Sequence, residues 1–284
     1  SILIHAPKPY ILHLTSYTLH LTSYTLHLTS SPAFSIKQNH YLWSKILKTM
    51  KLLLLSNSTN PGEDYLGWPR EILADFIRVN NLKSCLFVPY AGVTVSWDDY
   101  TSRVRDVFSL WGCAVQSVHT VADPVSSVFQ AECIVVGGGN TFRLVQMMHD
   151  TGLMEAIREK VKAGTPFIGW SAGSNVACPS LRTTNDMPII QPSSFSTLNL
   201  VPFQINPHYL DANPEGHGGE TREQRINEFQ ALNPEVVVVG LREATALLLD
   251  GDYMQLLGKR PMRLFKAGEV PLELFPGDDL KFLL

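Results

Sequence analysis

A short segment bordered by glycines carries the residue best suited to nucleophilic chemistry. Residues 165–175 read Thr-Pro-Phe-Ile-Gly-Trp-Ser-Ala-Gly-Ser-Asn, an apolar strand that runs into Gly169-x-Ser171-x-Gly173 and then into small residues that can begin a helix. This is the pattern of a nucleophile elbow, where larger neighbours of a strained serine would collide with the opposing backbone. A glycine turn with an incidental serine is the alternative. The pattern predicts a nucleophilic Ser171 if the chain also supplies a base, an acid and an oxyanion site.

The favoured base is His208. Five of the nine histidines lie in the first fifty residues. His208 follows the strand-like segment 203–206, at the strand end where open parallel sheets place their sites, and Pro207 restrains its backbone. A lone histidine is more often structural. The remaining histidines stand in less suitable contexts, namely His119 upstream in a Val-His-Thr-Val segment, His149 at a helix end and His217 between two glycines.

Two carboxylates could hold the imidazole of that base in the right tautomer. Glu243 follows the segment 236–242 at a predicted strand end, whereas Asp186 lies in the loop after the elbow helix. Exposed loop carboxylates are usually only solvated, so spacing alone leaves both residues open as the acid.

A glycine run supplies a candidate oxyanion site. Gly137, Gly138 and Gly139 follow the apolar segment 133–136 and precede Asn140 and a predicted helix. Glycines there expose backbone N–H groups to a developing negative charge. The alternative is a close-packed turn without chemistry. The run does not match Gly-x-Gly-x-x-Gly, so no dinucleotide cofactor is predicted.

The elements that must position these residues alternate between strand and helix from residue 51 onward. This alternation predicts an α/β fold with a mostly parallel central sheet and helices on both faces. Strands are predicted at 51–56, 84–90, 114–119, 133–136, 166–170, 203–206 and 235–241, with a hairpin at 245–257 and β-rich edge structure from residue 263. Helices are predicted at 63–80, with Pro69 in a first turn, and at 97–111, 125–131, 141–149, 154–163 and 221–232.

The first 49 residues differ from the rest of the chain. They contain the seven-residue repeat Leu-His-Leu-Thr-Ser-Tyr-Thr at 12–18 and 19–25, with a partial third copy. Such short copies cannot stack into a solenoid, and an odd period cannot keep one face along a strand. The segment has no arginine, which disfavours a mitochondrial targeting peptide. The sequence therefore predicts a disordered or weakly attached extension at 1–49 and one α/β domain at 50–284.

Composition narrows the class of function. The formal charge is −3, and residues 51–284 carry 19 basic against 26 acidic residues, which argues against a nucleic-acid partner. No apolar stretch reaches about 18 residues, so no membrane span or membrane partner is predicted. The four cysteines are far apart, which favours free thiols in a reducing, cytoplasmic compartment. No motif for a metal or cofactor is present.

From Met50 nearly to the C-terminus, several segments together resemble one family. They include Leu-Leu-Leu-Leu-Ser-Asn-Ser-Thr at 52–59, Val-Gly-Gly-Gly-Asn-Thr-Phe at 136–142, Gly-Trp-Ser-Ala-Gly-Ser-Asn at 169–175, Arg-Thr-Thr-Asn-Asp-Met-Pro at 182–188, Gln-Ile-Asn-Pro-His at 204–208 and Gly-Glu-Thr-Arg-Glu-Gln-Arg at 219–225. With them, the chain is similar to the peptidase E family of aspartyl dipeptidases. These are serine peptidases whose fold resembles that of class I glutamine amidotransferases.

The resemblance implies roles for individual residues. It places the nucleophile on Ser171, the base on His208 and the acid on Glu243, where Arg242 replaces a proline common in the family. Asp186 stays the competing acid. The order serine, histidine, glutamate differs from that of α/β-hydrolases. The backbone N–H groups of Gly139 and Ala172 would form the oxyanion hole.

The substrates implied are small acidic Asp-Xaa dipeptides with a free amino terminus. Arg222 and Asn140 are the candidate substrate-binding residues, because a guanidinium fork fixes a planar carboxylate with two parallel hydrogen bonds. The alternative is that Arg222 and Arg225 only form the solvated face of a helix.

Three other functions stay open at this point. A cyanophycinase-like β-aspartyl peptidase would share the elbow and the glycine run. A glutamine amidotransferase would require cysteine at the elbow, which Ser171 argues against. A non-catalytic binding protein would keep the scaffold without turnover. The sequence does not specify the oligomeric state, so a homodimer also stays open.

Overall fold

A computed structural model describes residues 50–216 and 218–284, so the predicted extension at 1–49 lies outside the described residues. Eleven strands are present in the described part. They are β1 Lys51–Leu55, β2 Ser84–Val88, β3 Ala114–Ser117, β4 Ile134–Val136, β5 Phe167–Trp170, β6 Gln204–Tyr209, β7 Val238–Arg242, β8 Thr245–Asp250, β9 Tyr253–Gly258, β10 Met262–Phe265 and β11 Leu272–Leu274.

The main sheet has seven strands in the order β3-β2-β4-β5-β1-β8-β9. The first five are parallel, and the hairpin β8–β9 adds to β1 in the antiparallel direction. The mostly parallel α/β sheet predicted from the alternation of elements is confirmed. Because β1 and β5 are parallel neighbours, the carboxyl ends of both strands lie side by side at the same end of the sheet.

Helices cover both faces of this sheet. Alternate residues of β1 enter two separate cores, with Leu53 and Leu55 packing under α1 and α2, and Leu52 and Leu54 packing on the opposite face. Burial on both faces explains why the strand is a continuous apolar run. The helices are α1 Arg70–Val79, α2 Trp97–Ser109, α3 Pro124–Gln130, α4 Thr141–Asp150, α5 Leu153–Lys162, α6 Ala172–Asn175 and α7 Arg222–Leu232. No helix in the described ranges is long and apolar enough to cross a bilayer.

The helix predicted at 63–80 is wrong in its first part, since α1 begins only at Arg70. The segment before it forms turns, with Gly67 N donating to the Asp64 carbonyl at 2.9 Å. Pro69 precedes the helix because a proline disfavours helical backbone at the residue before it. The apolar spacing of the turns imitates a helix, but Trp68 instead donates from Nε1 to the Asn57 carbonyl at 3.1 Å.

A second, four-stranded sheet contains the remaining strands in the order β11-β10-β7-β6. Strand β6 extends to Tyr209, three residues beyond the predicted end, and pairs in parallel with β7. The predicted β-rich edge after residue 263 is part of this sheet, where β10 pairs with β7 and β11. His208 and Glu243 are therefore placed by a different sheet from Ser171.

Arg242 anchors the end of β7. Its buried guanidinium bonds to the carboxylates of Asp211 and Glu273, with Nη1 donating to Glu273 Oε2 at 2.7 Å and to the Pro261 carbonyl at 2.7 Å. The hydrogen bond from Arg242 lowers the pKa of Asp211, although partial burial opposes it. The arginine that replaces a common family proline thus holds the strand end next to Glu243.

We expect Asp211→Asn to destabilise the fold in a pH-dependent way. Because the pKa of Asp211 is lower in the folded protein than in the unfolded chain, its carboxylate stabilises the fold above about pH 4. This stabilisation is lost as the pH falls through the lower, folded pKa. Urea unfolding should show a difference from wild type at pH 7 that shrinks towards about pH 3. Asp252→Asn, which removes a largely exposed pair with Lys281, is the control and should change little. A difference that is equal at both pH values would contradict the assignment.

Candidate active site

The elbow holds Ser171 in a strained backbone conformation between β5 and α6. Its φ is 54° and its ψ is −113°, and its N–H donates to the Leu55 carbonyl at 3.1 Å. A Cβ on Gly173 would lie 2.0 Å from the Val136 oxygen, and one on Gly169 would lie 2.4 Å from the Gly173 oxygen. The predicted collision of larger residues with the opposing backbone is confirmed, so these glycines allow the sharp turn that presents the serine.

His208 links Ser171 to Glu243. The Nε2 atom of His208 lies 2.8 Å from Ser171 Oγ, and its Nδ1 lies 2.7 Å from Glu243 Oε1. Because a carboxylate only accepts hydrogen bonds, the proton resides on Nδ1 and Nε2 accepts from the serine hydroxyl. Both side chains are partly exposed, 40% for His208 and 37% for Glu243. The three groups therefore form a continuous hydrogen-bonded series in which the glutamate orients the imidazole and the imidazole faces the serine.

The backbone at His208 is also strained. Its φ is 52°, and the register of β6 against β7 shifts between Pro207 and Tyr209. This irregularity breaks the strict alternation of side chains along the strand, as bulges do beside active sites. The extended segment predicted to end at 206 thus continues past the histidine and turns its ring toward the elbow.

Two residues at the end of β1 join the two sheets at this point. Ser56 Oγ donates to the Leu241 carbonyl at 2.7 Å and accepts from His208 N at 2.9 Å. Asn57 Oδ1 accepts from Ala244 N at 2.9 Å, which fixes the turn after Glu243. The sequence did not single out either residue for a role in the site. The only sequence feature that pointed to them is that both belong to the segment 52–59, which is one of the segments that resemble the family.

Asp186, the other candidate acid, contacts the start of α4 instead of His208. Its Oδ2 accepts from Thr141 N at 2.7 Å and from Thr141 Oγ1 at 2.6 Å, and Thr184 Oγ1 is 3.1 Å away. The first of these contacts satisfies a free backbone N–H group at the start of α4, and the others satisfy two threonine hydroxyls. The structure brings Glu243, and not Asp186, to the imidazole of His208.

The glycine run beside the elbow is held by Tyr100. Its hydroxyl donates to the Gly138 carbonyl at 2.9 Å and accepts from Trp170 Nε1 at 3.0 Å. Because C=O and N–H point in opposite directions across a trans peptide, the Gly139 N–H faces away from the tyrosine. Gly139 has a φ of 136°, and a Cβ there would lie 2.2 Å from the Ala91 oxygen, so only glycine fits.

A cavity of about 610 Å³ opens over these groups. It spans the carboxyl ends of β1, β2, β4 and β5, and Ser171, His208 and Gly139 all line it. The candidate residues thus lie together at the strand ends, where the sequence placed them. Asn140 also lines the cavity, although its side chain is engaged with Arg143 N at 3.0 Å and the Met187 carbonyl at 2.8 Å.

Arg222 is not among the described residues that line this cavity. It is the first residue of α7 and is half-buried. Burial lowers the pKa of Arg222, and the neighbouring charge of Arg225 lowers it further. Arg225 is exposed and lies 3.9 Å from Glu220.

The other described histidines have structural partners. His149 donates from Nε2 to the Ser196 carbonyl at 3.0 Å. His119 lies 2.6 Å from Ser117 Oγ and 3.0 Å from Asp98 Oδ1, which is a serine–histidine–aspartate set. Ser117 is only 1% exposed, however, so no substrate can reach it. His217 lies outside the described residues. Within 50–216 and 218–284, no group of three or more histidine, cysteine, aspartate or glutamate side chains could hold a metal ion.

A serine on a strained elbow, hydrogen-bonded in series to a histidine and a glutamate at the carboxyl ends of parallel strands, defines a serine-type hydrolase with an α/β fold. The family model described as peptidase family S51 matches residues 52–257. The chain therefore belongs to peptidase family S51 and is a serine-type peptidase, as the resemblance implied.

Individual relatives agree with this assignment. Peptidase E from Nostoc sp. is 50% identical over 234 residues, which is 82% of this chain and 96% of that protein. Peptidase E from Escherichia coli O6:K15:H31 is 48% identical over 226 residues, or 79% of this chain and 98% of that protein. The crystal structure of a peptidase from an acI-B1 Actinobacterium has a TM-score of 0.60 and 19% identity, and covers 82% of this chain and 98% of its own. At that identity the likeness shows the fold alone.

Proposed function

We propose that this peptidase hydrolyses Asp-Xaa dipeptides with a free N-terminal aspartate through an acyl-enzyme on Ser171. The observation that carries the proposal is the hydrogen-bonded series of Ser171, His208 and Glu243, of which the serine and the histidine line the cavity. The similarity to proteins named Peptidase E over about four fifths of the chain supports the substrate class.

In the first half of the reaction, His208 Nε2 takes the proton from Ser171 Oγ as that oxygen attacks the scissile carbonyl. Glu243 stabilises the imidazolium that forms, through its bond to Nδ1. The histidine then protonates the leaving amine, and the C–N bond breaks. In the second half, His208 deprotonates a water molecule that attacks the acyl-enzyme ester, and the proton returns to Ser171 as the product leaves.

The negative charge on the carbonyl oxygen requires fixed donors. We assign this role to the N–H groups of Gly139 and Ala172, because both lie next to Ser171 at the ends of neighbouring strands. The Gly139 donor is oriented through the bond from Tyr100 to the Gly138 carbonyl. Tyr100 is therefore a positioning residue, which acts through this peptide without touching the substrate.

Tyr100→Phe should lower kcat by roughly 10-fold and leave KM nearly unchanged, because a loosened donor costs less than the 100-fold or more that follows its removal. Steady-state kinetics on an Asp-Xaa dipeptide measure both values. Tyr90→Phe, at another buried tyrosine near the same helix, is the matched control and should keep wild-type kcat. A change in KM alone for Tyr100→Phe would contradict the positioning role.

We assign binding of the substrate's aspartyl carboxylate to Arg222, with Asn140 as a second substrate-binding residue. A half-buried guanidinium at the start of α7, without an ion pair among the described residues, is suited to a planar anion. Arg222→Ala should lower kcat/KM on Asp-Xaa by about 100-fold, the scale of a lost charge-assisted pair. Arg225→Ala, which removes an exposed neighbour, is the control. A wild-type kcat/KM in Arg222→Ala would contradict the assignment of Arg222 to the aspartyl carboxylate.

The proposal as a whole is tested with a panel of dipeptides that begin with aspartate, asparagine or glutamate, together with the β-aspartyl isomer. Preferred cleavage of α-linked Asp-Xaa is expected. Preference for the β-linked isomer would favour the cyanophycinase-like alternative, and absence of turnover with every member would favour a binding protein.

We also place this activity in the cytoplasm, because the four cysteines are free and buried, as is usual in a reducing compartment.

A further inference from the structure

One cationic side chain lines the same cavity as the serine. Arg103, on α2, is the only lysine or arginine among the described residues that line it, and those residues include no aspartate or glutamate. The ion pairs of the described residues do not include Arg103, and its side chain is exposed. The cavity therefore holds a guanidinium whose donors are open to an anionic ligand.

Arg103 lies close to the oxyanion side of the cavity. It follows Tyr100 by three residues on α2, so both side chains point to the same face of the helix. Burial raises the pKa of Tyr100 to about 12 and that of Tyr65 well above its ordinary value, and the charge of Arg103 acts in the opposite direction on both. The guanidinium is thus within electrostatic reach of the phenol that bonds to Gly138.

The two open cations are carried by elements that belong to different sheets. Arg103 belongs to α2, which follows β2 in the main sheet. Arg222 begins α7, which connects β6 and β7 of the second sheet, the sheet that holds His208. An Asp-Xaa dipeptide likewise carries two carboxylates on opposite sides of its scissile bond, the aspartyl side chain before it and the C-terminus after it.

We propose that Arg103 binds the free C-terminal carboxylate of the dipeptide and so restricts cleavage to substrates that end one residue after the scissile bond. This inference rests on the proposed function. Consecutive Cα atoms are about 3.8 Å apart, so a dipeptide's C-terminus must be met inside the cavity that holds Ser171. A longer peptide would place a neutral amide at that position, which cannot form the charge-assisted pair with the guanidinium.

The test compares Asp-Ala with Asp-Ala-amide, whose C-terminus is uncharged. Wild type should prefer the acid over the amide by about 10- to 100-fold in kcat/KM, the range for a hydrogen-bonded charge pair. Arg103→Gln should lower kcat/KM on Asp-Ala much more than on the amide, so that the preference for the acid is lost, and Arg103→Lys should recover part of the preference. Arg105→Gln, at an exposed arginine on the same helix that does not line the cavity, should behave as wild type.

Three outcomes would overturn the inference. Arg103→Gln could keep the wild-type preference for the acid, or lose kcat/KM equally on both substrates, or instead lose discrimination between Asp-Ala and Asn-Ala, which would assign Arg103 to the aspartyl side chain. Failure of the proposed function would look different, because wild type would then cleave neither substrate. In that case, calorimetry can measure the binding of Asp-Ala and of its amide to Ser171→Ala, with and without the additional Arg103→Gln substitution. This comparison still decides whether Arg103 binds the terminal carboxylate.

Discussion

Replacing Ser171 with alanine is expected to reduce kcat on an Asp-Xaa dipeptide by about 10⁴- to 10⁶-fold, the scale seen when a serine nucleophile is removed. Without Oγ, no acyl-enzyme forms, and His208 loses the group that lies 2.8 Å from its Nε2. Any residual rate would come from binding and from the oxyanion donors. The strained backbone at the elbow, with a φ of 54°, is imposed by the strand and helix around it and should persist in the variant.

Both turnover and covalent labelling check this expectation. An active-site serine reagent should modify wild type once, at Ser171, and should not modify Ser171→Ala. Ser109→Ala, on the exposed surface of α2, serves as a control for substitution of a serine and should keep wild-type kcat. An equal thermal midpoint for wild type and Ser171→Ala would show that the loss is chemical. More than a tenth of wild-type kcat in the variant would exclude Ser171 as the nucleophile.

The second large effect is expected for Glu243→Gln, with a fall in kcat of about 10³- to 10⁴-fold. The carboxylate accepts the Nδ1 proton of His208 at 2.7 Å, which keeps Nε2 free to accept from the serine. An amide nitrogen in that place would favour the opposite tautomer and would leave the imidazolium without a counter-charge. Stability should change little, because the glutamate side chain is 37% exposed.

Asp186→Asn is the matched comparison, because the sequence left both carboxylates open as the acid. Since Asp186 accepts from Thr141 at the start of α4, this variant should keep kcat within about threefold of wild type and lose roughly 1 kcal/mol of unfolding free energy. Activity assays and urea unfolding of the two variants together separate the roles. The reverse pattern, with activity lost only in Asp186→Asn, would restore Asp186 as the acid.

Local patterns predicted most of the main sheet. The strand and helix periods placed β1, β2 and α2 within a few residues of their observed bounds, because each is an uninterrupted apolar or amphipathic run. The helix expected at 63–80 began too early, since apolar residues in the preceding turns repeat at helical spacing while Gly67 and Pro69 break the backbone pattern. The second sheet was not separated from the first, because strand propensity carries no information on pairing.

By itself, the sequence determined the nucleophile elbow, since its geometry is produced within about ten residues by glycines that alone fit against the facing backbone. It also determined the family, from segments in one fixed order. Only the tertiary structure decided that Glu243 reaches His208, that Asp186 caps a helix, and that Arg103 lines the cavity while Arg222 stands outside its lining. The physical reason is distance along the chain. Partners such as Ser56 and Leu241, which join the two sheets, are separated by 185 residues, so sheet packing and not local spacing brings them together.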